Sequence, residues 1–293
     1  MKSIITLMRP WQWLKNGFVF APLFFSGRFT ELPLLWRTAI AFVCFSLVCS
    51  AVYCFNDIRD VAADRMHPRK CKRPIASGNV SIGAAYAISA GLLAASAVIA
   101  ILLLGDDWQG LCTVLGVYVV LNIMYCLWLK RHALIDVFII SVGFVLRLLA
   151  GSAVTQVELS HWIVVMTFLL ALFLALAKRR DDVVIYEDTG VSTRKNTSSY
   201  NLDFMNQAIS IVGAVTIVAY LLYTVSADVT SRIGNDCLYY TAVFVLLGVL
   251  RYLQLTIVDV RSGSPTKVLL HDRFTQLCVA AWGISFAVII YCI

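Results

Sequence analysis

Apolar residues along this chain come in long, nearly uncharged runs separated by short polar connectors. Nine runs stand out, at roughly 17–27, 36–55, 82–104, 109–128, 134–152, 161–177, 208–226, 237–258 and 274–292. Most approach the ~20 residues that a helix needs to cross a hydrocarbon core of about 30 Å. Inside a bilayer each span must satisfy its own backbone N–H and C=O groups, so helices are the expected element. The pattern predicts an all-α integral membrane fold of nine transmembrane helices, forming a single polytopic membrane domain over 1–293. The first run is short; it can begin near Leu7, with Pro10 and Pro22 bending it.

Composition agrees with the pattern. Of 293 residues, 60% are hydrophobic and only 14% charged, with a mean hydropathy of +0.82, which excludes an ordinary soluble domain. The N-terminal stretch MKSIITLMRPWQWLKN carries charges within its first apolar segment and no small-residue cleavage site, so no cleavable signal peptide is expected. Nine cysteines occur, most of them inside apolar runs and none in C-x-x-C spacing. That usage predicts small buried hydrophobes rather than a zinc site or a disulfide framework.

The net charge of +7 is explained by its distribution, and no nucleic-acid partner is implied. With a cytoplasmic N-terminus, 19 of the 24 Lys and Arg fall on cytoplasmic segments and only Arg28, Arg37 and Arg232 on the other side. Arg147 and Arg251 fall within spans. This asymmetry sets the orientation by the positive-inside rule. It predicts a multi-pass protein of the inner or plasma membrane with its polar loops in the cytoplasm. The outward connectors are brief, whereas the connector 178–207 runs to about 30 residues, a length usually reserved for function or disorder.

Residues 53–78, YCFNDIRDVAADRMHPRKCKRPIASG, are the most informative stretch. Asn56, Asp60 and Asp64 are spaced i, i+4, i+8 and share a helix face, and Pro68 is expected to end that helix. Acids stacked along one face repel each other unless a cation sits among them. Oxygen-only ligands suit a hard ion, and Mg²⁺ is typically held by one or two carboxylates together with substrate phosphates. Arg65, Arg69, Lys70, Lys72 and Arg73 suit the remaining phosphate charge. A Mg²⁺–diphosphate site where cytosol meets lipid is the reading. A charged loop that merely obeys the positive-inside rule accounts for the cations, but not for the acids on one face.

Three other clusters are candidates. Lys178-Arg179-Arg180-Asp181-Asp182 begins where the sixth run ends, and places Lys178 and Asp182 as i, i+4 partners. It can bind phosphate, or it can simply anchor the end of a span. Lys130-Arg131 precedes Asp136, which suits the start of a helix, and Arg147 lies 11 residues further along. An Arg at that depth costs ~2.5–3.5 kcal/mol unless it faces a polar cavity, finds a partner or snorkels. Gly143 and Gly151 allow close approach to that span. Arg251, seven residues from the end of its run, is expected to snorkel. Arg9 to Asn16, RPWQWLKN, is an amphipathic interfacial segment whose Lys15 and Asn16 can close over a phosphorylated substrate. The four histidines show no ligand spacing.

Together these strings resemble the UbiA superfamily of intramembrane prenyltransferases. The matching element is N-D-x-x-D-x-x-x-D at 56–64. Softer strings point within it to the branch that transfers phosphoribosyl to polyprenyl phosphate: R-P-x-Q-W-x-K-N at 9–16, H-P-x-K-x-x-R-P-I-A-S-G at 67–78, G-F-x-L-R-x-x-A-G at 143–151 and K-R-R at 178–180. The resemblance implies a UbiA-like nine-helix bundle with a cytoplasm-facing polar cavity. It further implies Mg²⁺-dependent transfer from phosphoribosyl diphosphate to a polyprenyl phosphate lipid, a cell-envelope reaction that releases diphosphate. By matching position, Asn56, Asp60 and Asp64 hold the metal–diphosphate. Lys15, Asn16, Lys70, Arg73, Lys130, Lys178 and Arg179 contact substrate, and Arg147 points into the cavity. Asp60, Asp64 and Asp182 are the carboxylates implied in catalysis, Asp182 standing where the family commonly has Glu. A homo-oligomer is compatible with this reading. The near alternative is prenyl transfer to an aromatic or quinone precursor, but the later loop lacks the second D-x-x-x-D usual there. A transporter of a phosphorylated metabolite is disfavoured, because the charge clusters on one side rather than along a path.

Overall fold

In a computed structural model the described residues are 2–66, 70–190, 196–259 and 265–292. Pro68 and Arg69, with His67 of the H-P-x-K string, lie outside them, as do Arg194, Lys195 and Arg261. The chain is helical, with no strand among the described residues. The elements are α1 (Lys2–Met8), a 3-10 run Pro10–Phe20, α2 (Ala21–Phe25), α3 (Leu32–Arg59), α4 (Val61–Met66) and α5 (Ile82–Leu103). After these come α6 (Trp108–Leu127), α7 (Ile135–Thr155), α8 (His161–Thr189), α9 (Leu202–Thr224), α10 (Ala227–Ile233), α11 (Ala242–Ile257), α12 (Pro265–His271) and α13 (Arg273–Tyr291).

Eight helices among the described residues are long and apolar enough to cross a membrane. They account for eight of the nine expected spans. The first expected span instead consists of the 3-10 run and α2. Pro10 and Pro22 both sit at the first turns of these pieces, where a missing N–H costs nothing, so the segment is broken rather than continuous.

The chain divides into two compact units, one of Met1–Leu129 with Leu146–Glu158, the other of Lys130–Val145 with Leu159–Ile293. In the first, α3 packs against α5, α6, α1 and the 3-10 run. A small core of Leu7, Cys54, Ile58, Ile75, Val80 and Ala85 ties the chain after α4 back to α3. Gly151 meets the 3-10 run so closely that an added Cβ would stand 2.0 Å from the Val19 carbonyl oxygen and 3.1 Å from Pro22. Only a residue without a side chain allows that approach. In the second unit α8 packs on α9, and α11 on α9 and α13, around Phe173, Leu176, Met205, Ile209 and Tyr252.

Two helices matter most for chemistry. α3 has 28 residues and α8 has 29, so each is about 42 Å long against a hydrocarbon core of about 30 Å. Each overshoots by about two turns, and in both it is the C-terminal end that carries acids and bases: Asn56 to Asp60 on α3, and Lys178 to Asp182 on α8.

Candidate active site

In the first unit the acidic stretch folds into an ion-pair cluster. α3 ends at Arg59 with Asp60 as its cap, and α4 resumes at Val61. Backbone hydrogen bonds cross the break, from Asp60 N–H to the Asn56 carbonyl (3.0 Å) and from Asp64 N–H to the Asp60 carbonyl (2.8 Å). The expected periodicity therefore survives a local turn at Asp60. Asp57 and Asp64 are buried, and Arg73 joins them, its Nη1 reaching Asp57 at 3.0 Å and Asp64 at 2.7 Å. Arg9 grips Asp57 from the other side with one guanidinium nitrogen on both oxygens (2.6 and 2.7 Å), while stacking over Tyr53. Arg9 adopts a left-handed backbone, φ 53°, which is unfavourable for a side-chain-bearing residue. The two charge-assisted bonds to Asp57 hold it there. Asn56 is half-buried, its side-chain oxygen accepting the Cys126 thiol at 3.3 Å.

Sequence reasoning had no role for Arg9 or Asp57 in this cluster. The signal was present in part: Asp57 and Asp64 are seven residues apart, two helical turns, and so share a face. Nothing local, however, foretells a partner 48 residues away.

Among the described residues no three His, Cys, Asp or Glu side chains gather into a closed metal site. A Mg²⁺ ion shared with a diphosphate does not need one, because one or two carboxylates plus phosphate oxygens complete its shell. Asp60 and Asp64, with the Asn56 amide oxygen, are an oxygen-only donor set that fits this use.

Arg147 is buried within the first unit. Its Nε donates to Asn16 Oδ1 at 2.8 Å, and its Nη2 lies against Tyr118 Oη and Cys49 Sγ at 3.4 and 3.5 Å. The Phe45 and Tyr118 rings flank it at 4.9 and 5.3 Å. Arg147 therefore does not snorkel. Asn16, expected to close over substrate, is 1% exposed and also donates to Ser46 at 2.9 Å. Its observed part is to hold Arg147. Lys15 stands beside it in the 3-10 run, and Lys70 opens the short turn Lys70–Lys72 that leads to Arg73; both are half-buried.

In the second unit Arg179 is buried, its Nε on Asp136 at 2.5 Å and its Nη1 on Asp182 at 2.9 Å. Asp136 is fully buried, so it is a counter-ion and not merely a helix-start charge. Tyr200 completes the group: its hydroxyl accepts the Leu134 N–H at 2.6 Å and donates to Asp136 at 3.4 Å. Burial pushes the Tyr200 phenol above its ordinary value, which keeps it a neutral hydroxyl. Arg180 is spent on structure, donating to Asn206 at 2.7 Å and to the Thr256 carbonyl at 2.6 Å. Lys178 is exposed and Lys130 half-buried. Arg251 is ion-paired to Asp272 at 2.7 Å rather than snorkelling.

A chain with eight helices long and apolar enough to cross a membrane among its described residues belongs to the class of multi-pass helical membrane proteins. More specifically, the chain belongs to the UbiA prenyltransferase family, whose sequence profile matches residues 18–277. It is 33% identical to the decaprenyl-phosphate phosphoribosyltransferase of Corynebacterium glutamicum over 99% of this chain and 87% of that protein. It is likewise 33% identical to the protein of that name from Mycolicibacterium smegmatis, over 99% of this chain and 93% of the relative. In fold it matches a UbiA homologue from Archaeoglobus fulgidus solved with GPP and Mg²⁺, with a TM-score of 0.70, 17% identity and coverage of 97% and 99%.

Proposed function

We propose that this protein transfers the 5-phosphoribosyl group from phosphoribosyl diphosphate to a polyprenyl phosphate in the membrane, releasing diphosphate. The observation that carries the choice of donor is the nearly full-length similarity to proteins named decaprenyl-phosphate phosphoribosyltransferase. The cluster at the end of α3 supports the diphosphate half of the reading.

In the reaction an oxygen of the lipid phosphate forms a bond to the anomeric carbon of ribose. The bond from that carbon to the diphosphate breaks, and the electron pair leaves with diphosphate. The attacking phosphate is already anionic, so no general base is required. Asp60 and Asp64, with Asn56, would hold Mg²⁺. Bound there, the ion would supply charge neutralisation for the leaving diphosphate. Arg73, whose side chain is 27% exposed, pairs with Asp57 and Asp64 and can turn part of its guanidinium to an incoming diphosphate oxygen. Arg9 stays on Asp57 when it does. Lys15 and Lys70 are assigned to phosphate as well. Arg147 and Asn16 fix the packing of the 3-10 run that presents Lys15.

In the second unit Lys130 and Lys178 are assigned to phosphate. Arg179 is held by Asp136 and orients Asp182, which we assign a role in the reaction. The charge asymmetry supports an inner-membrane protein with its N-terminus and these loops cytoplasmic.

Incubating the purified protein with labelled phosphoribosyl diphosphate, polyprenyl phosphate and Mg²⁺ should yield a phosphoribosylated lipid by mass spectrometry. Prenylation of an aromatic acid, with no such lipid, would overturn the proposal. Asp60→Ala should lower turnover by about 10²–10³-fold, as loss of one electrostatic group in an active site does, while the protein still inserts and purifies.

A further inference from the structure

Asn196 and Thr197, in the second unit, are 1% and 2% exposed. Among the described residues, neither the amide nitrogen nor the amide oxygen of Asn196 has a hydrogen-bond partner, and the Thr197 hydroxyl has none either. Burying such groups without partners is unfavourable, and in native proteins it points to a water, an ion or a ligand that completes them. Asn201, five residues on, shows the ordinary use of the same side chain. It is exposed, and its Oδ1 caps α9 by accepting the Phe204 N–H at 2.8 Å. Asn196 also stands at the start of a helical turn, Thr197–Ser199, yet its side chain makes no cap there.

The turn that carries these groups is firmly held. The Ser199 N–H bonds the Asn196 carbonyl and the Tyr200 N–H bonds the Thr197 carbonyl, both at 3.2 Å. The turn packs on α8. Tyr200, which ends it, reaches Leu134 and Asp136 through its hydroxyl and stacks on Phe204 with ring centroids 6.1 Å apart. Asp136 pairs with Arg179, and Arg179 with Asp182. Asn196 lies four residues before Tyr200, about 8 Å at the rise of a 3-10 turn. The unpartnered groups therefore ride on the element that also closes the acid–guanidinium group of α8.

The donors and acceptors select a ligand class. Asn196 offers two N–H donors and one carbonyl acceptor, and the Thr197 hydroxyl both donates and accepts. A phosphate dianion only accepts, so it would leave the buried Asn196 oxygen facing another acceptor. A cation would suit the two oxygens and be repelled by the amide N–H groups. A sugar hydroxyl donates and accepts, and two hydroxyls on adjacent carbons can meet the nitrogen and the oxygen of one amide together. Of the two substrates in the proposed reaction, the polyprenyl phosphate has no hydroxyl outside its phosphate. Phosphoribosyl diphosphate carries a vicinal hydroxyl pair on its ribose.

We propose that Asn196 and Thr197 form the recognition site for the ribose hydroxyls of phosphoribosyl diphosphate; the identity of the sugar rests on the phosphoribosyl-transfer reading. Binding to the purified full-length protein, with Mg²⁺ and no acceptor lipid, tests this without turnover. Asn196→Leu and Thr197→Val remove the polar atoms at nearly constant volume. Each should raise Kd for phosphoribosyl diphosphate about tenfold, the scale of one or two lost hydrogen bonds, and leave Kd for inorganic diphosphate unchanged. Neither variant should unfold at a lower temperature, because an unsatisfied polar group gives way to an apolar one of similar shape. A donor analogue lacking one or the other ribose hydroxyl should bind the wild type about tenfold more weakly than the donor, and Asn196→Leu should lose that discrimination.

Lower unfolding temperatures with both Kd values intact would make the two side chains structural. No change in either property would mean that buried water completes them. An equal rise in both Kd values would put the turn on phosphate. Each of these outcomes overturns the proposal. Should Asn196→Leu not fold, Thr197→Val and the analogues with wild type still decide. If the wild type bound phosphoribosyl diphosphate, with the expected loss in the variants, yet formed no phosphoribosylated lipid, the functional reading alone would fail and the ribose site would stand.

Discussion

The acid–guanidinium clusters at the ends of α3 and α8 use the same residue types but differ in how deeply the guanidinium groups are buried. In the first, the carboxylates of Asp57 and Asp64 are 2% and 4% exposed, while Arg73 and Arg9 keep 27% and 18% of their side chains in contact with solvent. In the second, Arg179 is 3% exposed and Asp136 is fully buried, with Asp182 at 17%. A guanidinium that still touches water can exchange one partner for an incoming anion at modest cost. One that has lost its water depends on its counter-ion, because removing either partner leaves an uncompensated buried charge. The α3 cluster is therefore suited to handling a phosphorylated ligand, and the core of the α8 cluster to fixing where Asp182 points.

The comparison is most severely tested at Asp136. Asp136→Ala strands Arg179 on one side and should cost about 3 kcal/mol of stability, the lower end for a broken buried pair because Asp182 remains. Thermal unfolding in detergent would measure it, and a loss within experimental error would mean that Arg179 is not held as described. Arg73→Gln should behave in the opposite sense. Its main effect should be about a tenfold rise in KM for phosphoribosyl diphosphate, with a smaller stability loss than Asp136→Ala, because water reaches the vacated position. A large loss of stability with KM unchanged would erase the distinction between the clusters.

Arg147 sharpens the same point in a third place. Its charge is buried among Asn16, Tyr118 and Cys49, whereas Arg251 is paired to Asp272 near the end of its helix. Arg147→Leu should therefore impair turnover and expression more than Arg251→Leu does. Equal, mild effects would show that the buried contacts contribute little.

The smallest effect concerns acid. Asp272 caps α13 through the Thr275 N–H at 2.9 Å and accepts two bonds from Arg251. The Arg251 guanidinium, followed by the cap bonds, holds its carboxyl well below the usual carboxylate range. A depressed native value stabilises the fold above about pH 4, and that contribution is lost as pH falls below it. The stability difference between wild type and Asp272→Asn, under about 1 kcal/mol for so accessible a pair, should therefore shrink from pH 6 to about pH 3. A constant difference would argue against the ion pair.

Much of this molecule was legible in the order of its residues. Run length is a local property, so the membrane helices could be read directly. So could the acidic motif and the two long helices that end in charge, since periodicity alone places side chains on a face. The broken first span was half visible in Pro10 and Pro22. Partnership was not legible. Asp57 meets Arg9 across 48 positions, and Arg147 meets Asn16 across 131. Asp136 read as an ordinary helix start until Arg179 was found against it. Periodicity fixes which face a side chain leaves, but packing fixes what stands opposite. For a charge removed from water, that opposing group decides whether it binds a ligand or holds the fold.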